Sequence, residues 1–430
     1  MLSGRASARV GSHESAGRVS VMGETLGRIV IVGAGLAGMR TAQALRHQGY
    51  DGRLTLVGVE PHLPYDRPPL SKEYLAGEVD AEEIAVCDPD DIASLCLELL
   101  LEQRAVGLNL SSRCVDLADG RRLPFDKLVV ATGADPVIPE SFRNRPGVTG
   151  FRTIEDALAL RECLGTGSRV AIVGAGFIGA EVASTVRQMG YEVSLLEALD
   201  YPMQRVLGAD VGAVLSAALS KHGVDLHTGT AASRLLGSQS VKGIELADGR
   251  RMESDHVVVA LGVSPNIGWL TGSGLDLSDG IRCNAFGHAL GSGGVIHAIG
   301  DVASWHYDSY GEHLRVEHWS TAVEMAPIVA RSVLGNQAAS PTLGLPYFWS
   351  DQCGTKIQLL GRIRADDRVE VINGEMASAE FIAVYHSKGR ASAVLAMGLA
   401  RQFTTLRPAV EQGWTMRQIG QVVADNAILT

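Results

Sequence analysis

The sequence predicts an α/β chain: two Rossmann-like dinucleotide-binding domains followed by a C-terminal α+β domain. Two glycine fingerprints and the chain length carry this reading. Gly33-Ala34-Gly35-Leu36-Ala37-Gly38 follows the apolar run 29–32, and Gly174-Ala175-Gly176-Phe177-Ile178-Gly179 follows the apolar run 170–173. In each copy the first glycine permits a tight bend and the second lets the backbone approach a pyrophosphate. The third lets helix and strand pack closely, with the phosphates at the positive end of the helix dipole. One such motif arises readily by chance. Two in strand–helix context, 141 positions apart, imply two dinucleotides held together, so that one can pass electrons to the other. At 430 residues the chain is too long for one core and suits two or three domains.

The elements follow in order. The first unit opens with a strand at 29–32, a helix over 36–48 and a second strand at 54–57. The stretch 82–110 mixes helix with short strand, and a buried strand at 128–130 runs into the turn Ala131-Thr132-Gly133-Ala134. The second unit repeats the pattern: strand 170–173, helix to Met189, strand 193–196 and then Glu197, closing with strand 257–259 and a turn at 261–266 that contains Gly262. Strands alternating with helices imply parallel sheets. The apolar run 295–299 then delivers Gly300 and Asp301, and a helix spans 320–334. Beyond residue 341 the pattern changes to antiparallel strands at 357–360, 369–372 and 381–385. The expected division is an N-terminal extension over 1–26, a discontinuous first domain over 27–137 and 263–338, a second over 138–262, and a C-terminal domain over 339–430.

Composition excludes several classes. The net charge of -10 argues against general nucleic-acid binding. No apolar run reaches the roughly 18 residues of a membrane span. Residues 1–26, rich in Ser, Gly and Arg, read as a disordered or over-annotated start with Met22 as a candidate initiator, and the chain reads as cytoplasmic. The six cysteines form no C-x-x-C pair and no zinc or iron–sulfur spacing, and His288, His306, His313 and His318 fit no zinc pattern, so no metal site is expected. No dithiol is available to carry two-electron chemistry, so electrons must leave directly from a cofactor.

Several residues carry candidate chemistry. Glu197 lies 23 positions after Gly174, near the distance at which an acid meets an adenosine ribose. There it favours NADH over NADPH by repelling a 2′-phosphate, while Arg205 works against that preference. A solvated strand-end acid is the plain alternative. Asp301 is placed to accept from a ribityl chain or to serve as an ordinary turn acid. The run 64–72, PYDRPPLSK, holds three prolines and two cations, Arg67 and Lys72. It reads either as a plain proline loop or as a stiff mount for charge against a flavin. A unit charge pair at about 4 Å is worth on the order of 4 kcal/mol at an effective dielectric of about 20.

With both fingerprints, PYDRPPLSK, ATGA at 131–134, FRTIEDA at 151–157, AIGD at 298–301, VEHW at 316–319 and PYFWSDQ at 346–352, the chain resembles the FAD-dependent NADH:ferredoxin reductases that serve cytochromes P450 and Rieske-type oxygenases. The likeness covers residues 28 to about 362 and implies a glutathione-reductase-like fold with FAD and NADH as cofactors. It implies that the first fingerprint holds the FAD pyrophosphate and the second that of NADH. Lys72 would sit beside the isoalloxazine N5 and pair with Glu181. Val106, Arg152 and Asp301 match FAD-contacting positions, Trp319 the residue over the pyrimidine ring, and Ile178 the nicotinamide neighbour. Relatives often carry an acid where this chain has Val59. Either Glu60 takes that role toward the FAD ribose, or other groups do. Tyr347 stands for a common tryptophan, and Ser320 for a common acid. The implied activity takes hydride from NADH and passes single electrons to a small iron–sulfur ferredoxin, expected to be [2Fe–2S]. Residues 339–430 carry nine Lys or Arg against eight Asp or Glu, so the expected docking face includes the C-terminal domain and the Arg67 region. Two alternatives share the fold: an apoptosis-inducing-factor-like NADH-binding flavoprotein, and an NADH oxidase, peroxidase or disulfide reductase. The latter needs a cysteine near the flavin, and none lies in PYDRPPLSK or just after the first helix.

Overall fold

The structure, a computed structural model, describes residues 20–21, 24–336 and 343–424. Arg28–Val32 is the centre of a five-stranded parallel sheet. Its order is Ile296–Ala298, Lys127–Val130, Arg28–Val32, Arg53–Val57 and Leu97–Leu100. These strands are runs of Val, Ile and Leu because a parallel sheet is covered on both faces. Helices Leu36–His47 and Trp319–Val333 pack against each other beside it. The second parallel sheet repeats the plan around Arg169–Val173, in the order Val148–Thr149, His256–Val259, Arg169–Val173, Glu192–Leu196 and Asp225–His227. The duplication extends to single bonds. Gly33 N donates to Val57 O at 2.7 Å, and Gly174 N donates to Leu196 O at 2.9 Å.

Each parallel sheet is accompanied by a three-stranded antiparallel one that periodicity alone does not announce, at Ala105–Asn109, Cys114–Leu117 and Arg122–Pro124, and at Ala232–Leu236, Gly243–Leu246 and Arg251–Glu253. Two helices also emerge that the sequence reading left unassigned. Ile154–Cys163 starts at a capping box between Thr153 and Asp156, and Gln204–Lys221 is kinked at Gly208. The chain passes between the two parallel sheets twice, through Ala134–Pro136 and Val263–Pro265, and these crossings pair antiparallel with each other.

The C-terminal segment forms a five-stranded antiparallel sheet ordered Tyr347–Gln352, Thr355–Gly361, Arg390–Met397, Glu380–Ser387 and Arg368–Glu375. Alternation along Glu380–Ser387 divides its faces. Phe381, Ala383 and Tyr385 join the core around the second parallel sheet, where the Tyr385 hydroxyl donates to Leu207 O at 2.6 Å. Ile382 and Val384 face the opposite way, onto Phe403, Leu406 and Ile419 of the terminal helices. The expected disordered extension falls mostly outside the described residues; within them, Ser20–Val21 pairs with Glu24–Thr25. No helix among the described residues is long and apolar enough to cross a membrane.

Candidate dinucleotide cleft

The six fingerprint glycines do different jobs. A methyl group at Gly33 would overlap the Ala131 carbonyl, one at Gly38 the Gly33 carbonyl, one at Gly174 the Ala260 carbonyl and one at Gly179 the Gly174 carbonyl. Gly33 and Gly174 also lie at φ +117° and +108°, which side chains rarely adopt. The middle glycines differ. A methyl group at Gly35 or Gly176 would meet nothing within 4 Å. Each therefore leaves open space at a helix N-terminus, and the residues present fit a pyrophosphate at both places.

Both helix starts open onto one cavity of about 1770 Å³. Its first-unit wall includes Gly33, Gly35, Leu36, Ala37, Glu60 and Val106, together with the turn Ala131-Thr132-Gly133. Gly176, Phe177, Ile178, Arg205 and Gly262 line it from the second unit. Val59, Val106 and Ile178 are 48%, 50% and 45% exposed, apolar surface turned to an open cleft. Gly38, Gly174, Gly179 and Glu197 do not line it. The glycines lie beneath it as packing positions. The Glu197 carboxylate accepts from Ala175 N at 3.1 Å and from Leu199 N at 3.0 Å, so it braces the second fingerprint.

At the floor, Lys72 Nζ lies 3.1 Å from Glu181 Oε2, with side chains 14% and 5% exposed. The run 64–72 is not a plain loop, since Pro68–Ser71 closes a 3₁₀ turn and Glu73–Ala76 continues as a helix. Asp301 lies within another short turn, Gly300–Val302, and accepts from Arg152 at 2.6 Å; a methyl group at Gly300 would sit 3.0 Å from Ala37 Cβ. Trp319 begins helix Trp319–Val333, donates from Nε1 to Asp66 at 2.8 Å and meets Trp349 edge-on with centroids 5.9 Å apart.

The expected role of Arg67 needs correcting. Its guanidinium donates to Glu60 at 2.7 Å, to the Tyr65 hydroxyl at 3.1 Å and to Arg152 O at 2.5 Å. The charge is thus matched inside the cleft wall and is not presented to a docking partner. The same contacts engage Glu60, which also accepts from Tyr65, so both its oxygens are occupied. Burial pushes the Tyr65 hydroxyl above its ordinary range and keeps it a donor.

Sequence reasoning gave no role to two lining residues, whereas His318, beside Trp319 in VEHW, was expected near the flavin. Phe348 and Trp349 reach the cavity from the C-terminal sheet, and Phe348 packs on Phe177 with centroids 4.4 Å apart. Both sit within PYFWSDQ, so the signal was present. His318 lines the cleft, packs on Phe348 and is held down to about 4 by burial, so it is neutral at pH 7. The other histidines pack elsewhere: His288 against His297, and His306 against His313. Among the described residues no cysteine lines the cleft.

The pyridine nucleotide-disulphide oxidoreductase family matches residues 27–326, and the reductase C-terminal family matches residues 347–428. The ferredoxin–NAD(+) reductase subunit of the benzene 1,2-dioxygenase system of Pseudomonas putida is 33% identical over 89% of this chain and 92% of its own length. Putidaredoxin reductase from Pseudomonas putida is 34% identical over 85% of this chain and 87% of its own. The solved covalent complex of putidaredoxin reductase with putidaredoxin superposes with a TM-score of 0.87 at 30% identity, covering 94% of this chain and 99% of that one. With this architecture and these relatives, the chain belongs to the ferredoxin–NAD(+) reductases of the pyridine nucleotide-disulphide oxidoreductase family.

Proposed function

We propose that this chain is the NADH-dependent FAD reductase of an oxygenase system, passing electrons singly to a small iron–sulfur ferredoxin that feeds a cytochrome P450 or Rieske-type oxygenase. The observation that carries the reading is that both fingerprints open on one cleft, whose wall also holds the Lys72–Glu181 pair. Bound FAD would supply the hydride acceptor for NADH and the one-electron donor for the ferredoxin.

The chain's own residues bind and orient. Gly33, Gly35, Leu36 and Ala37 hold the FAD pyrophosphate with Gly38 packed beneath them, Val106 supports the adenosine end, and the turn Ala131-Thr132-Gly133 closes over the fingerprint. Arg152, Gly300 and Asp301 hold the ribityl chain. Lys72, oriented by Glu181, would stand beside the isoalloxazine. Trp319 covers the pyrimidine side, where the positive end of its helix favours negative charge. Gly176 and Phe177 hold the NADH pyrophosphate over the packing glycines Gly174 and Gly179, Ile178 and Gly262 border the nicotinamide, and Arg205 faces the adenosine ribose, while Glu197 acts from beneath by bracing the fingerprint. Glu60 and Arg67 act on the FAD side as a mutual brace. Val59 offers no carboxylate, so groups other than an acid at that position hold this ribose.

The absence of cysteine among the described residues of the cleft wall opposes a disulfide reductase. The reading includes a cytoplasmic location, where NADH is supplied and the six free thiols stay reduced. Its test is anaerobic reduction of a panel of purified ferredoxins, with NADH and NADPH side by side. Fast NADH-driven reduction of at least one [2Fe–2S] member supports the proposal. Fast flavin reduction with no ferredoxin reduced counts against it, and slow flavin reduction favours a binding scaffold.

A further inference from the structure

Two segments remote in sequence converge on the Glu181 carboxylate. Oε2 accepts from Ser71 Oγ at 2.5 Å and from Lys72 Nζ at 3.1 Å. Oε1 accepts from Ser350 Oγ at 2.6 Å and from Asp351 N at 3.3 Å. Ser350, itself fully buried, accepts in turn from Gln352 Nε2 at 2.9 Å. One carboxylate oxygen thus faces the proline run and the other faces the first strand of the C-terminal sheet. The same helix face repeats the arrangement one turn on. Thr185 Oγ1 donates to Ser71 O at 2.7 Å, and Ser184 Oγ accepts from Cys353 N at 2.8 Å. Residues 181, 184 and 185 stand at the i, i+3, i+4 spacing that places side chains together.

An ionised carboxylate only accepts, so both serine hydroxyls must point at it, and together they fix its plane. That plane decides where Oε2 holds the Lys72 ammonium. With one N–H directed to Glu181, the ammonium keeps two more for the cleft it lines. Without the Ser350 hydroxyl, Oε1 retains only the longer bond from Asp351 N. The carboxylate can then turn, and Lys72 follows it.

We infer that Ser350 and Ser71 are positioning residues that set Lys72 through Glu181, and that the C-terminal domain is therefore a working part of the redox site. This rests on the placement of Lys72 beside the isoalloxazine. The test uses the FAD-loaded full chain in four variants: Ser350→Ala, Ser350→Thr, Ser71→Ala and Lys72→Met. Spectroelectrochemistry gives the flavin midpoint potential, and stopped-flow reduction separates the limiting rate from NADH affinity.

Loss of a hydrogen bond to a buried charge predicts a limiting rate about tenfold lower in Ser350→Ala, with NADH affinity unchanged. The potential should move in the same direction as in Lys72→Met and by less, and Ser350→Thr should restore both. Ser71→Ala should give the same signature from the opposite side, and it decides the matter if Ser350→Ala fails to retain FAD. If Lys72→Met shifts the potential while both alanine variants match the wild type, the clamp is wrong and the Lys72 placement stands. If Lys72→Met leaves the potential unchanged, the placement itself is wrong, and the clamp falls with it.

Discussion

Glu181 is a buried charge satisfied from every side, so cutting it away should be costly. Glu181→Ala leaves the part-buried Lys72 ammonium without its counter-ion and two serine hydroxyls without their acceptor. Breaking a buried pair in this way is worth about 3–5 kcal/mol, readable as a lower midpoint in urea unfolding of the holoprotein. Glu181→Gln, which keeps the shape, should lose less. His318 gives a pH signature. Burial holds its folded pKa near 4, whereas the unfolded imidazole takes a proton near 6.5. The unfolded state therefore binds the extra proton between those values, and stability falls as pH drops from about 6.5 to about 4. Burial lowers His297 and His288 in the same sense. Thermal midpoints at pH 7 and pH 5 should differ, and His318→Gln should narrow the difference without abolishing it. The Lys72–Glu181 partnership was legible through family likeness. Ser71 and Ser350 were not, because hydroxyls 110 and 169 positions from their acceptor leave no periodic trace in the sequence.

At the scale of elements, the two fingerprints make separable predictions. Gly179→Val drives a side chain into the Gly174 carbonyl beneath the helix and should prevent stable folding of the second unit. Gly176→Val enters open space at ordinary backbone angles, φ -75°. The protein should stay folded and yellow while NADH affinity falls at least tenfold, measured by flavin reduction against NADH concentration. The main parallel strands and their helices were readable because each is a continuous apolar run flanked by a glycine turn. The three-stranded antiparallel sheets escaped because their strands are three to five residues long and partly exposed, too short for alternation to register. Helix Gln204–Lys221 escaped because Gly208, at φ 82°, interrupts its period. Arg67 shows the limit of reading charge from a string: the cation in the proline run was evident, and its inward partners Glu60 and Tyr65 were not.

For the molecule as a whole, charge is unevenly shared. The net value is -10, while residues 339–430 carry +1, so the remainder holds -11. An acidic ferredoxin should be steered to the C-terminal face that contributes Trp349 and Phe348 to the cleft, and Arg67 is excluded from that steering by its internal contacts. Ferredoxin reduction at limiting concentration should slow as salt rises, while flavin reduction by NADH changes far less. A salt-independent rate of ferredoxin reduction would remove electrostatic steering from the account. The joining of Ala134–Pro136 to Val263–Pro265 has a practical consequence. Because the second nucleotide unit is entered and left at adjacent points, it can be exchanged as a cassette between relatives. Such a graft would change pyridine-nucleotide preference and leave the flavin pocket intact, provided the incoming helix brings the acid and the two hydroxyls that dock it on its host.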